Sequence, residues 1–222
     1  MTKSSVRLIS ATPEAEFIIS YCARVSNPDN QDNTDNEKLI RYCIKHKHFS
    51  ILEMAHVVME IQCPRSISQQ LTRHRSFSFQ EFSQRYADVG SMDYPEPPDL
   101  RRQDTKNRQN SIDDLDEEMV TFYQTKAQLL FDQSRKLYDE MVAVGIAKEC
   151  ARDVLPLATP TRLYMAGSVR SWLHYVDLRQ SNGTQKEHQE IAFKAKDILY
   201  EVVPTVAKAM WGDSNDDLWE QR

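Results

Sequence analysis

Glycine is scarce in this chain of 222 residues. Only five glycines occur, and no two of them fall within the same ten-residue stretch. Both GxGxxG and GxxxxGK[ST] are therefore absent, which excludes the glycine-rich loops that bind phosphate at a helix N-terminus. If the protein binds a nucleotide, side chains must neutralise its phosphates.

Cysteine is also sparse, and the cysteines are scattered. The four residues have no CxxC spacing, so neither a disulfide framework nor a zinc ribbon is indicated, and we expect reduced, buried thiols at Cys22, Cys43, Cys63 and Cys150. No apolar run reaches the ~18 residues of a membrane span. The N-terminal MTKSSVRLIS lacks the apolar segment of a secretory signal. We therefore expect a cytoplasmic protein that does not bind membranes.

Excess positive charge is missing as well. Lys and Arg number 28 against 33 for Asp and Glu, giving a net charge of −5, which argues against general nucleic-acid binding but leaves room for a local basic patch. A hydrophobic content of 40% with 27% charged residues is typical of a globular protein.

Hydrophobic periodicity predicts a single α+β domain over residues 1–222. Alternating polarity predicts strands at 6–10 and 56–63. Residues 78–86 are expected to be extended, and residues 155–166 extended or irregular. Helical spacing and N-terminal signals predict helices at 13–25, 34–47, 64–75, 111–144, 167–178 and 185–211. Thr12 is expected to cap the first helix, and capping boxes are expected at Thr34/Glu37, Ser111/Asp114 and Thr184/Glu187. Residues 88–110 form a predicted surface loop, and 211–222 an acidic tail.

Candidate ligand-binding residues are concentrated between positions 65 and 86. Four arginines and His74 share this segment with one acid, Glu81, and are interleaved with aromatic residues; the arginines are Arg65, Arg73, Arg75 and Arg85. A helix from Pro64 would place Arg65, Gln69 and Arg73 on one stripe. An extended segment would place Glu81, Ser83 and Arg85 on one face. Guanidiniums that fork onto phosphate oxygens suit a phosphorylated ligand, although a solvated surface loop is the simpler alternative.

A second cationic group lies nearer the C-terminus, at Arg152, Arg162, Arg170, His174 and Arg179. Individually these signals are weak: His174 could be a buried core histidine, and Arg179 at a helix C-terminus could serve the helix dipole alone. His46, His48 and His56 raise a metal-dependent hydrolase as an alternative. The first two fall at a predicted helix end where i and i+2 diverge, so we expect no metal site.

The segment from Arg73 to Arg85, RHRSFSFQEFSQR, resembles the defining motif of the flavin-dependent thymidylate synthases. The Arg-His-Arg and the Ser after seven further residues are intact, and Gln80 stands where Asn is usual. Three flanking segments agree in order and spacing: HFSILE at 48–53, with Met54 where His often follows; ARDVLP at 151–156; and RSWLHYVDLR at 170–179. The resemblance covers about residues 6–205.

This resemblance implies an α+β fold in which helices pack on a small antiparallel sheet, assembled as a homotetramer with active sites between subunits. It implies that dUMP is converted to dTMP, with methylenetetrahydrofolate as the carbon donor and NADPH as the reductant, through bound FAD. Carried over position by position, the FAD contacts would be Ser50, Arg73, His74, Arg75, Glu81, Ser168, Arg170 and His174. At position 168 the family commonly has Asn. The dUMP contacts would be Gln70, Arg73, Glu81, Phe82, Ser83, Gln84, Arg85, Arg152 and Arg179.

A catalytic role for Arg179 is our hypothesis from this resemblance. The family uses no cysteine nucleophile, so C5 of the uracil must become electron-rich by another route, and a fixed cation at the pyrimidine edge would stabilise its deprotonated form. The alternative to an enzyme is a non-catalytic nucleotide- or RNA-binding module, in which bases stack on Phe or Tyr between guanidiniums. The net charge of −5 weighs against RNA as a partner.

Overall fold

The computed structural model describes residues 4–213. Its strands are β1 (Ser5–Ala11), β2 (His56–Pro64), β3 (Ser78–Glu81), β4 (Arg102–Gln103), β5 (Ser111–Ile112) and β6 (Pro160–Ser168). Its α-helices are α1 (Ala15–Ala23), α2 (Glu37–Lys45), α3 (Arg65–Leu71), α4 (Glu117–Ala143), α5 (Lys148–Ala151), α6 (Val169–Arg179), α7 (Lys186–Val202) and α8 (Pro204–Trp211). The predicted α+β class is confirmed. Of the acidic tail, residues 214–222 lie outside the described residues.

The main sheet is antiparallel, with strand order β1-β2-β6-β3. Met59 of β2 lies opposite Met165 of β6, and Ile61 lies opposite Leu163; all four side chains are fully buried. Alternation in β2 follows the predicted pattern except at Glu60, which is buried while Arg7 covers its carboxylate at 3.1 Å. The strands predicted at 6–10 and 56–63 are therefore present.

Helix α6 joins the sheet to the helical layer. Ser168 caps it by accepting a hydrogen bond from Ser171 N at 3.2 Å, and the buried Trp172 donates from its indole nitrogen to the carbonyl of Val57 at 3.0 Å. Phe77 packs edge-on against Trp172, with ring centroids 4.8 Å apart, and lies directly over Gly167. A Cβ at position 167 would come within 2.5 Å of the Phe77 ring, so this close approach requires glycine.

Helix starts are where the sequence prediction is wrong most often. The hydroxyl of Thr12 bonds to the backbone of His56 instead of capping α1. Asn36 precedes α2 without any side-chain cap, so the Thr34/Glu37 box is absent. Ser111 belongs to β5, and Asp116 caps α4 because its carboxylate reaches the amides of Glu118 and Met119 at 3.0 and 3.2 Å. The Thr184/Glu187 box is also absent, since no side chain caps α7 and Glu187 pairs with Arg101.

Several predicted elements are shorter in the structure. The helix predicted at 64–75 ends at Leu71, and the extended segment predicted at 78–86 ends at Glu81. The helix predicted at 185–211 is broken before Pro204, whose ring nitrogen cannot donate to the helical ladder. The predicted loop 88–110 contains β4, which pairs with β5 in a separate two-stranded sheet.

Helix α4 contributes the buried Tyr138 to a small second core that also contains Val89 and Ala151, and Phe131 is also buried on this helix. Its adjacent face is apolar yet exposed, and carries Met119, Phe122, Tyr123, Leu129, Leu130 and Leu137.

In residues 4–213 we find no helix with the length and apolarity needed to cross a bilayer. The expectation of four buried thiols is wrong in part: Cys43 and Cys63 are buried, but Cys22 is half-buried and Cys150 is exposed on the short helix α5.

Candidate functional site

Arg179 and His74 form the centre of the candidate site. Arg179 lies in the last turn of α6, and its Nε donates to Nε2 of His74 at 2.9 Å. The imidazole packs edge-on against the buried ring of Tyr175, with centroids 5.0 Å apart. Burial, and then the positive charge of Arg179, lowers the pKa of His74 to about 4. His74 is therefore neutral at neutral pH, and an Nε2 that accepts places its proton on Nδ1.

Gln70 is held beside this pair by the residue that precedes α7 and by the first turn of that helix. Its Nε2 donates to Oε1 of Gln185 at 2.8 Å, and its Oε1 lies 3.3 Å from Nδ1 of His188. His188 is fully buried, and burial together with Arg179 and His74 lowers its pKa to about 3. Burial also raises the pKa of Tyr175, so this phenol stays protonated. The Tyr175 hydroxyl and His188 Nε2 find no hydrogen-bond partner among residues 4–213.

Arg73 and Arg75 flank His74 and point into solvent. Both are exposed, and neither forms an ion pair or hydrogen bond with any residue between 4 and 213. The predicted helical stripe of Arg65, Gln69 and Arg73 is wrong, because α3 ends at Leu71 and residues 73–76 form turns. The chain thus anchors the histidine and leaves the two neighbouring guanidiniums free for an anion.

A cavity of about 400 Å³ opens on the other side of α6. Its wall is mostly apolar, formed by Phe49, Leu52, Leu173 and Met210. Its polar residues are Glu53, Ser76, Arg170, Ser171, His174 and Asp177. Arg170 Nη1 contacts Glu53 Oε1 at 3.0 Å across the mouth. His174 is exposed, so the alternative of a buried core histidine is wrong.

Two further predicted flavin residues lie near this cavity but do not line it. Ser50 is exposed in the 3-10 turn Phe49–Met54, which also supplies Glu53. Ser168 is buried, and its hydroxyl is engaged at the start of α6 with Ser171. Their contacts with a flavin remain predictions.

Glu81 ends strand β3 and is satisfied within the chain. Its Oε1 accepts from Ser68 Oγ and Thr161 Oγ1, both at 2.9 Å, and lies 3.6 Å from Arg65 Nη1. The neighbouring thiol of Cys63 is unreactive, because burial and then the Glu81 charge raise its pKa to about 12. Of the four arginines between positions 65 and 86, only Arg65 pairs with Glu81.

A smaller cavity of about 290 Å³ lies beyond Glu81, between the residue-84 turn and the segment at 152–157. It is lined by Arg65, Gln84, Arg152, Asp153, Leu155, Pro156 and Leu157. Gln84 is buried, and its Nε2 has no partner among the described residues. Two cations and an unsatisfied amide donor suit an anion there, although the exposed carboxylate of Asp153 lies 3.9 Å from Arg152 Nε.

The remaining motif residues do not share one face. Past Glu81 the chain turns, since the Ser83 carbonyl accepts from the amides of Tyr86 and Ala87 at 3.1 and 2.9 Å. Arg85 is directed to Glu149, at 2.8 Å. The predicted common face of Glu81, Ser83 and Arg85 is therefore wrong. Phe82 is half-buried, and its amide bonds to the Arg162 carbonyl at 2.9 Å.

No group of three His, Cys, Asp or Glu residues suited to a metal ion occurs between residues 4 and 213. The rings of His46 and His48 instead lie around Tyr42, with centroids 4.3 and 6.2 Å from it.

The structure distributes the predicted residues over three neighbouring places. The first is the His74–Arg179–Gln70 cluster, the second the larger cavity at Arg170 and His174, and the third the smaller cavity at Gln84 and Arg152. Sequence reasoning missed Gln185 and His188, which contact Gln70. Their only signal is their place in the first turn of a helix, and nothing in the sequence pairs them with a residue more than a hundred positions earlier.

Comparison with known proteins places the chain in a family. The sequence model of the family described as "Thymidylate synthase complementing protein" matches residues 7–205. A protein named "Probable flavin-dependent thymidylate synthase", from Paramecium bursaria Chlorella virus 1, is 50% identical over 214 residues, covering 93% of this chain and 98% of that protein. The "Flavin-dependent thymidylate synthase" of Synechocystis sp. is 49% identical over 210 residues, covering 95% and 96%.

Solved structures match the fold. The UMP/dUMP methylase PolB of Streptomyces cacaoi, crystallised with 5-Br dUMP, superposes with a TM-score of 0.80 and covers 97% of this chain and 98% of that one. At 24% sequence identity, this likeness concerns the fold alone.

Proposed function

Because the chain belongs to the family of thymidylate synthase complementing proteins, we propose that it is a flavin-dependent thymidylate synthase that converts dUMP to dTMP. The carbon comes from methylenetetrahydrofolate and the reducing equivalents from NADPH, by way of bound FAD. The observation that carries the proposal is the neutral His74, fixed by Arg179 between two arginines that have no partner among residues 4–213.

The larger cavity fits a flavin chemically. Its apolar wall suits a planar ring system, and Arg170 and His174 supply donors for polar ring atoms. We assign Arg73 and Arg75 to the pyrophosphate, since planar guanidiniums fork onto phosphate oxygens and this chain has no glycine-rich loop. Ser50, His74, Glu81 and Ser168 complete the proposed set. When bound, FAD supplies hydride chemistry, while the protein supplies binding and orientation.

The smaller cavity fits the phosphate of dUMP. Arg65 and Arg152 supply charge there, and the buried amide of Gln84 supplies an unsatisfied donor. Ser83 and Arg85 lie in the adjoining turn, next to Phe82. Gln70 and Arg179 lie in the His74 cluster, and we assign them to the pyrimidine end of dUMP.

Arg179 is the proposed catalytic residue. Its Nε is engaged by His74, while its Nη groups have no partner among residues 4–213. A guanidinium at the N3 edge of the uracil would stabilise the deprotonated ring and make C5 electron-rich, which is where the new carbon attaches. The buried thiols do not offer a nucleophilic route, because burial raises the pKa of both Cys43 and Cys63.

We also propose that the protein assembles as a homotetramer with active sites between subunits. Support comes from the exposed apolar face of α4, where Phe122, Leu129, Leu130 and Leu137 lie in solvent in the single chain. Exposed patches of this kind mark association surfaces. Division of the dUMP residues between two places in one chain also agrees with a site completed by neighbouring copies.

The test is direct. Purified protein should be yellow, its flavin spectrum should change when dUMP is added, and dTMP should form when methylenetetrahydrofolate and NADPH are supplied. A colourless protein that reconstitutes with no flavin and binds RNA in a salt-sensitive manner would instead favour the nucleic-acid-binding alternative.

A further inference from the structure

Arg101 links the loop at 88–110 to helix α7 through a buried ion-pair network. Its Nη2 contacts Glu187 Oε1 at 2.7 Å, its Nη1 contacts Asp99 Oδ2 at 2.8 Å, and its Nε donates to Ser111 Oγ at 2.9 Å. The side chains of Arg101 and Glu187 are only 9% and 10% exposed. A buried pair of this kind strongly constrains geometry, because removing either partner leaves the other charge desolvated and unpaired.

The neighbouring Lys186 strengthens the same connection. Its Nζ lies 3.4 Å from Asp99 Oδ2 and 3.4 Å from Asp113 Oδ2. Burial alone would lower the pKa of Arg101, but Glu187 and Asp99 outweigh it and raise the pKa, so the guanidinium stays charged.

Lys186 and Glu187 lie between the two residues that hold Gln70. Gln185 accepts from the Gln70 amide nitrogen at 2.8 Å, and His188 Nδ1 lies 3.3 Å from the Gln70 amide oxygen. Residues 185–188 therefore connect two parts of the molecule. Lys186 and Glu187 contact the loop at 88–110, and Gln185 and His188 contact the two ends of the Gln70 amide. No side-chain cap fixes this end of the helix independently.

We propose that Arg101 is a positioning residue for the pyrimidine nucleotide: by fixing the first turn of α7, it sets the orientation of the Gln70 amide. This inference rests on the proposed function for the identity of the nucleotide, dUMP, and for the assignment of Gln70 to it. A glutamine amide presents a donor at one end and an acceptor at the other, so a rotated amide offers the wrong group to the ligand. Misplacement of a binding group by about 1 Å can cost orders of magnitude in efficiency.

Arg102 provides a matched control. It is the next residue of the same loop and forms a two-point contact with Asp114, at 2.9 and 2.6 Å, but both side chains are about half exposed and neither reaches α7. Arg102→Gln removes the same charge and the same kind of contact. Exposed ion pairs contribute little to the stability of a fold, so dUMP binding in this variant should stay within about twofold of wild type.

The experiment compares Arg101→Gln, Arg101→Lys and Arg102→Gln as full-length holoprotein. We measure KM for dUMP, kcat, and the dUMP dissociation constant by calorimetry. We expect Arg101→Gln to weaken dUMP binding on the order of tenfold, with a larger change in KM than in kcat. Arg101→Lys should restore part of the affinity because it keeps the charge.

A double-mutant cycle with Gln70→Ala separates positioning from general destabilisation. If Arg101 acts through Gln70, the loss caused by Arg101→Gln should shrink to about twofold when Gln70 is already absent. An undiminished loss in that background, or equal effects of Arg101→Gln and Arg102→Gln, would overturn the inference. If Arg101→Gln does not fold, Arg101→Lys enters the cycle instead. If wild type binds dUMP but forms no dTMP, the proposed function fails, and the cycle in dUMP binding still decides the role of Arg101.

Discussion

The Nε of Arg179 donates a 2.9 Å hydrogen bond to Nε2 of His74, a residue 105 positions earlier in the chain. The guanidinium and the imidazole can both be cationic, yet they lie in contact. The contact is stable because burial and the guanidinium charge keep the imidazole neutral. The bond orients both partners: it directs one edge of Arg179 and selects the imidazole tautomer. It also places the proposed catalytic cation next to the arginines that flank His74.

Arg179→Ala should reduce kcat for dTMP formation by about two orders of magnitude, because the deprotonated pyrimidine loses its stabilising cation. Flavin content, read from the visible spectrum, should stay near the wild-type value. Arg179→Lys keeps a charge but loses the planar fork that reaches His74, so partial recovery is expected. Near-normal turnover of Arg179→Ala would contradict the assignment.

Stability should fall as the pH drops below about 6.5, because His74 and His188 have pKa values lowered to about 4 and about 3 in the fold. The unfolded chain binds these protons near pH 6.5 and the folded chain does not, so the free energy of unfolding decreases with falling pH down to about 4. His188, which is fully buried, contributes at most about 1.4 kcal/mol per pH unit in that window, and the half-buried His74 contributes less because solvent screens it. Urea titrations from pH 7 to 4 measure the slope. His188→Gln should reduce this slope by the contribution of one titrating histidine. A free energy of unfolding that does not change between pH 7 and 4 would refute the prediction.

Arg73→Ala and Arg75→Ala should each release FAD, since both guanidiniums are exposed and have no partner among residues 4–213. Loss of a charged hydrogen bond corresponds to a weakening of about 10- to 100-fold. The flavin-to-protein absorbance ratio after gel filtration measures it. Arg41→Ala, an exposed arginine on α2 that pairs with Glu37, is the control and should remain yellow. Fully yellow variants at both motif positions would exclude the phosphate-binding role.

Gly167→Ala should lower the free energy of unfolding by about 1–3 kcal/mol, because the new Cβ would lie 2.5 Å from the ring of Phe77. Chemical denaturation gives the value. Phe77→Leu removes the ring atoms concerned, so the cost of the alanine should be smaller in that background than in wild type. Equal costs in both backgrounds would show that the ring contact is not the cause.

Leu130→Glu combined with Leu137→Glu should lower the molecular mass measured by light scattering, because charge on the apolar face of α4 opposes burial between copies. Val25→Glu is the control, since Val25 is an exposed apolar residue that lies away from α4. A homotetramer that withstands the α4 changes would place the subunit contacts elsewhere.

Much of the architecture follows from local sequence patterns. Strand β2 is predicted because alternating residues such as Val57, Met59 and Ile61 bury one face. Helix ends are not predicted well, because several candidate caps compete within a few residues. Ser111 has the spacing of a capping box with Asp114, but it pairs in β5, and Asp116, a cap of equal quality, begins α4 instead. Helix α3 ends at Leu71 although helical periodicity continues, since residues 73–76 turn toward α6.

The sequence by itself determined the family, the shortage of phosphate-binding glycines and the cationic character of the site, because these depend on residue types and their spacing along the chain. Only the tertiary structure decided which of those residues meet. Arg179 reaches His74, Gln185 and His188 hold Gln70, and Arg101 ties the loop to α7. These contacts join segments up to 118 residues apart. Such partners are chosen by how helices and strands pack in three dimensions, and short-range patterns carry no information about that choice.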